Sequence, residues 1–235
     1  MPNKIFALDD ELAIKIYKRK SSRNLRLSVT SDGEVRVSIP AWAPYRVGVE
    51  FARSRQAWIR AQARSPQLLA DDQAIGKAHH LSFVAVTGTQ KTNSRLSGGT
   101  IRIRYPVGAD PQSAAVQQVA NAAGVRALRL QAEQLLPQRL AVLAAQHDFD
   151  YADVSIKRLK GRWGSCDNNR QIVLNLFLMQ LPWELIDYVL LHELTHTRIL
   201  RHGTDFWQAM DEVLADSKQL RRKLRAHQPV LTSLA

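Results

Sequence analysis

The stretch 188–207, YVLLHELTHTRILRHGTDFW, places three of the chain's seven histidines within eleven residues. His192 and His196 are four apart, so on an α-helix both imidazoles face one side, about 6 Å from each other and at bidentate metal distance. Glu193 sits about 100° around the same helix from His192. From there a carboxylate reaches a water held by a metal without becoming a ligand itself. A catalytic zinc takes three protein ligands and leaves a fourth, tetrahedral position for water, and His202 is the third candidate. On a straight helix His202 would lie about 15 Å along the axis from His192, far beyond a bond of about 2 Å. The helix must therefore end soon after His196 and the chain must fold back. The turn is expected near 200–203, with the next helix starting at Gly203 or Thr204.

An HExxH pattern also arises by chance, with histidines that are no more than satisfied core or surface residues. The neighbouring residues argue against that here. Val189, Leu190 and Leu191 lead in, Leu194 sits between the histidines, and Glu193 is the only acidic or basic residue apart from histidine from Val189 to Thr197. So apolar a helix is buried, and burying two imidazoles and a carboxylate unpartnered is costly. A bound metal offsets that cost.

The elements around this helix follow from patterning. Leu25, Leu27 and Val29 alternate with polar residues, as do Val35, Val37 and Ile39, with Ser31-Asp32-Gly33 between: a β-hairpin closed by a DG turn. Residues 45–64 read as one amphipathic helix with Val49, Ala52, Trp58 and Ile59 inward. Strands are expected at about 80–87 and 100–105, joined by a polar loop over 88–99, with His79 and His80 structural. The segment 106–111 marks a composition shift. Beyond it, 112–147 is Ala-, Leu-, Gln- and Arg-rich and helical, interrupted by Gly124 and Pro137. Strands near 153–160 and 171–176 flank a turn at 167–169, Pro182 opens the metal-binding helix, and helices at about 204–215 and 217–227 end the fold. The fold class is α+β. A β-rich segment with one helix, 1–108, precedes a domain over 109–235 with helices and a small antiparallel sheet.

At 235 residues the chain is long enough to bury a sizeable core. The amino terminus has no signal-peptide pattern, and no apolar run approaches the roughly 20 residues of a membrane span. A single cysteine, Cys166, excludes an internal disulfide and fits a reducing compartment, so the expectation is cytoplasmic. The net charge of +12, with basic clusters at 15–26, 157–162 and 218–225, implies weak nucleic-acid or nucleotide binding or a solvated basic surface. No nucleic-acid-binding motif accompanies it.

Three segments together resemble one family: GRWGSCDNNRQIVLNLFL (161–178), LPWELIDYVLLHELTHTRILRHGTDFW (181–207), and the amino-terminal hairpin and helix ending in Ala57-Trp58-Ile59. They are similar to the YgjP-like metal-dependent hydrolases, a cytoplasmic zincin family related to SprT-type metalloproteases, over about residues 14–227. The resemblance implies a zincin-like catalytic domain with His192, His196 and His202 as zinc ligands and Glu193 as catalytic acid/base. The HExxHxxxxxH spacing is also that of metzincins, whose turn glycine is replaced here by Ile199. His202-Gly203 stands where the family more often has His-Ser.

Other residues of these segments carry two readings each. Arg162 either anchors an anionic or oxyanionic substrate group or bridges buried carbonyls. Cys166, without a nearby histidine in sequence, reads as an inert thiol. Asn175 could bond a substrate backbone if 171–176 is an exposed edge strand. Tyr188 shares the face of His192 and lines the cleft or packs. The leading expectation is a zinc-dependent peptidase in which Glu193 takes a proton from an activated water. A nucleotide phosphoanhydride is the alternative substrate, and a non-enzymatic nucleic-acid-associated protein with structural zinc is the reading from another class.

Overall fold

The computed structural model describes residues 3–9, 12–20, 22–29, 34–62, 68–227 and 231. Alternation of buried and exposed side chains builds the first sheet. Ile14 and Ile16 of β2 (Ala13–Arg19) and Val35, Val37 and Ile39 of β4 (Val35–Pro40) are all buried. With β1 (Asn3–Ala7) and β3 (Arg26–Val29) the order is β1-β2-β4-β3, with β2 and β4 parallel and both outer pairs antiparallel. The expected β3–β4 hairpin pairs as read, Val29 opposite Val35, while its Ser31-Asp32-Gly33 turn lies outside the described residues. The single helix expected over 45–64 is two, α1 (Tyr45–Arg53) and α2 (Gln56–Gln62). Ser54 separates them, its hydroxyl donating to the Phe51 carbonyl at 2.9 Å. Ala52 and Ile59 are buried as expected, but Trp58 is exposed.

These elements pack as one compact unit within residues 1–67, and the described residues from Leu68 onward form the other. The division falls at 67/68 and not at the composition shift near 106–111, because the second sheet belongs to the core of the following helix. That sheet orders β5-β6-β8-β7, from β5 (Ala74–Ile75), β6 (His79–Val86), β7 (Asn93–Ser97) and β8 (Thr100–Pro106). Leu81, Ile101 and Ile103 join Val116, Ala120, Leu128, Leu136 and Leu140 of α3 (Ala114–Gln146) in one apolar cluster. Helix α3 runs unbroken through both expected interruptions. Gly124 is there for room: a Cβ would come within 2.7 Å of Leu231.

The strands nearest the site are β9 (Asp153–Lys157), β10 (Gly164–Cys166) and β11 (Gln171–Asn175), ordered β10-β11-β9. This sheet is mixed, not antiparallel: β11 pairs antiparallel to β10 but parallel to β9. A 3₁₀ turn over Leu176–Gln180 leads into α4 (Trp183–His196), with Pro182 as its N-cap. Helices α5 (Thr204–Val213) and α6 (Ser217–Ala226) follow. No helix among the described residues is long and apolar enough to cross a membrane.

Candidate metal centre

Helix α4 is buried nearly all round: Leu185, Ile186, Val189, Leu190, Leu191 and Leu194 are at most 3% exposed. A helix of that kind is a core element, so its position is fixed by packing on every side. A forked ion pair adds to this, Arg139 of α3 donating to both Asp187 oxygens at 2.8 and 2.6 Å. The helix stops at His196, where the Thr197 hydroxyl turns back onto the Leu194 carbonyl at 2.7 Å. The intervening turn returns His202 to the helix, and α5 begins at Thr204 with Gly203 as its N-cap.

The three imidazoles then converge. Nε2 of His202 lies 3.0 Å from Nε2 of His192 and 3.1 Å from Nε2 of His196. Ligand atoms about 2.0–2.1 Å from a tetrahedral ion stand roughly 3.3 Å apart, so this spacing fits zinc. The ring of Phe206, fully buried, braces all three histidines at centroid distances of 4.9, 4.5 and 4.8 Å. Nδ1 of His196 is 3.0 Å from the Ile199 carbonyl. A carbonyl only accepts, so that nitrogen carries the proton and Nε2 presents a lone pair to the cluster. Burial pushes His192 down to about 3, with His196, His202 and Arg221 acting in the same direction, and burial also lowers His196. Neutral imidazoles are what a metal needs.

Glu193 is 4% exposed, and its Oε2 has no hydrogen-bond partner. Burial raises its pKa to about 8, against the opposing charge of Arg162. Its carboxylate lies against Gly164 of β10, where a Cβ would stand 2.6 Å from Oε1. The glycine of RWGSC is thus a space requirement set by Glu193, a relation across segments far apart in sequence.

A cleft of about 500 Å³ opens over these groups and takes in Arg162, Tyr188 and residues 163–166. Arg162 is exposed, and Tyr188 is buried with its ring centroid 6.1 Å from that of His192. Cys166 borders the cleft as well, but burial first, then Glu193 and Asp167, raise its pKa to about 11, so it is a thiol at neutral pH. Trp163 packs against the core while bordering the cleft. His79 and His80 bond elsewhere, to Gln131 at 2.6 Å and Thr100 at 3.1 Å.

Asn175 corrects the expectation placed on it. Strand β11 is the middle strand, paired on both sides, and Asn175 is 4% exposed. Its amide donates to the Leu159 and Arg162 carbonyls at 3.0 and 2.8 Å, and its oxygen accepts from the Phe177 N–H at 3.2 Å. Its role is to hold the segment that carries Arg162. Sequence reasoning also missed two cleft residues, Arg221 and Arg225 of α6. Their spacing of four is the available signal, but within the basic cluster 218–225 it does not distinguish a cleft pair from surface charge.

The YgjP-like metallopeptidase domain, as a sequence family, matches residues 23–227. No curated protein matches the chain. Among solved structures, the metallopeptidase zymogen abylysin of Pyrococcus abyssi aligns at 20% identity and a TM-score of 0.36, over 39% of this chain and 93% of its own. The zymogen jannalysin of Methanocaldococcus jannaschii aligns at 19% identity and a TM-score of 0.35, over 39% of this chain and 94% of its own.

Proposed function

Because the chain belongs to the YgjP-like metallopeptidase family, we propose that it is a zinc-dependent peptidase held together chemically by His192, His196, His202 and Glu193. The observation that carries this is the convergence of three imidazole Nε2 atoms beside a buried carboxylate with an unpartnered oxygen. Among the described residues the cluster comprises three histidines, one ligand short of a closed structural site. That favours catalysis over a purely structural ion. Zinc held there would supply a Lewis acid that polarises the scissile carbonyl and makes water acidic near neutral pH.

The chain's own groups do the rest. Glu193 takes the proton of the attacking water and delivers it to the leaving amine nitrogen. Strand β10 is an edge among the described residues and borders the cleft, so an extended peptide pairs there rather than along 171–176. Arg162, which lines the cleft just before β10, steadies the developing oxyanion in this reading, and Tyr188 forms part of the cleft wall.

The test uses metal-loaded protein and a peptide library read by mass spectrometry. Glu193→Gln should keep its zinc while turnover falls about 100-fold or more. His196→Ala should lose most of the metal, since two ligands hold zinc weakly. Wild-type turnover by Glu193→Gln would overturn the role given to this carboxylate.

A further inference from the structure

Arg221 and Arg225 stand one turn apart on α6 and both border the cleft, with Leu224 between them in sequence. Arg222 does not join them; it borders a separate depression with Asp211 and Asp216. The guanidinium of Arg221 lies 4.1 Å over the Trp207 ring. Stacking of this kind fixes the plane of a guanidinium and leaves its N–H edge free for a carboxylate. Two acids of the neighbouring helices pair with lysines of α6 instead, Glu184 with Lys223 at 3.2 Å and Asp211 with Lys218 at 3.7 Å. Among the described residues neither Arg221 nor Arg225 has an ion-pair partner. Two like charges at i and i+4 disfavour the helix that carries them, and an anion between them reverses the sign. Their field already reaches inward, since both oppose the effect of burial on the Tyr188 phenol.

We propose that Arg221 and Arg225 form a carboxylate subsite beside the metal centre, so that the enzyme selects peptides bearing an acidic group near the scissile bond. This rests on the peptidase reading above. The group is either an acidic side chain or the substrate's own C-terminal carboxylate, and both offer the same two oxygens to a guanidinium fork.

Binding separates the two and does not depend on turnover. Fluorescein-labelled peptides are titrated into zinc-loaded Glu193→Gln protein and followed by anisotropy. One peptide carries a central Glu and an amidated end, one a central Gln and a free end, and one a central Gln and an amidated end. At least one carboxylate-bearing peptide should bind about 10- to 100-fold tighter than the neutral one. Which of them does so identifies the source. Adding Arg225→Ala should abolish the difference and Arg225→Lys restore part of it, with zinc content and melting temperature unchanged. Arg225 is chosen because Arg221 also packs on Trp207. Equal binding of all three peptides, or a difference that survives Arg225→Ala, overturns the subsite. A nucleoside triphosphate binding more tightly than any peptide, with the same loss in Arg225→Ala, reassigns the pair to phosphate and overturns it too. If the difference holds but wild-type enzyme cleaves none of the peptides, the peptidase reading fails and the subsite stands. Cleavage indifferent to the acidic group removes the subsite alone.

Discussion

Gly164 and Glu193 constrain each other. A Cβ at position 164 would lie 2.6 Å from Oε1, 2.8 Å from Cγ and 2.9 Å from Cδ of Glu193. Separations that short force the carboxylate aside, and a catalytic group moved by about 1 Å can cost on the order of 100-fold. Gly164→Ala should therefore lower kcat by roughly that factor while leaving zinc stoichiometry intact. Wild-type kcat together with full zinc would mean that the seat of Glu193 does not matter. His192, Glu193 and His196 were readable from sequence because helical spacing fixes their mutual geometry, and His202 because a metal site needs a third ligand within reach of a turn. Gly164 was not, because its partner is a side chain on another element. Asn175 misled for a related reason: a strand's local pattern does not say whether it is an edge, and only tertiary pairing puts β10 on one side of β11 and β9 on the other.

Among elements, α4 had to be placed before its histidines could meet His202. Its start was legible from Pro182, its end from the reach of the third ligand, and its burial from its composition. Its attachment to α3 through Arg139 and Asp187 was not, since the two residues are 48 apart in sequence. Strand β7 escaped notice because its residues NSRLS are mostly exposed and polar, and β10 because it has only three residues. The continuity of α3 was hidden by Gly124 and Pro137, where tertiary packing overrides helix propensity. The ion pair gives the element-scale prediction. The side chains of Arg139 and Asp187 are 38% and 20% exposed, so solvent screening limits the pair's worth. Asp187→Ala should destabilise the protein by about 1 kcal/mol, a fall in melting temperature of roughly 2–4 °C for a unit of this size. An unchanged melting curve would show that apolar packing alone holds α4.

On the scale of the whole molecule the charge is unevenly shared. Residues 1–67 carry thirteen Lys and Arg against six Asp and Glu, a net +7 of the chain's +12. Within that unit Arg19, Arg23 and Arg26 border one polar depression with Ser22, Asn24 and Ser38. The basic cluster at 218–225 is divided instead, with Arg221 and Arg225 at the cleft, Arg222 at a separate depression, and Lys218 and Lys223 in ion pairs. Binding of nucleic acid through charge alone should therefore depend more on the first unit than on α6. At low ionic strength duplex DNA should bind without sequence preference, and log affinity should fall with log salt by about 0.9 per phosphate neutralised. Reversing Arg19, Arg23 and Arg26 to Glu should flatten that slope by two to three phosphates' worth, about 1.8 to 2.7. Reversing Arg222 alone should change it by less than one. Filter binding across a salt series measures both. Equal slopes for wild type and the triple reversal would remove the first unit from polyanion binding, leaving its charge as a solvated surface and the metal centre untouched.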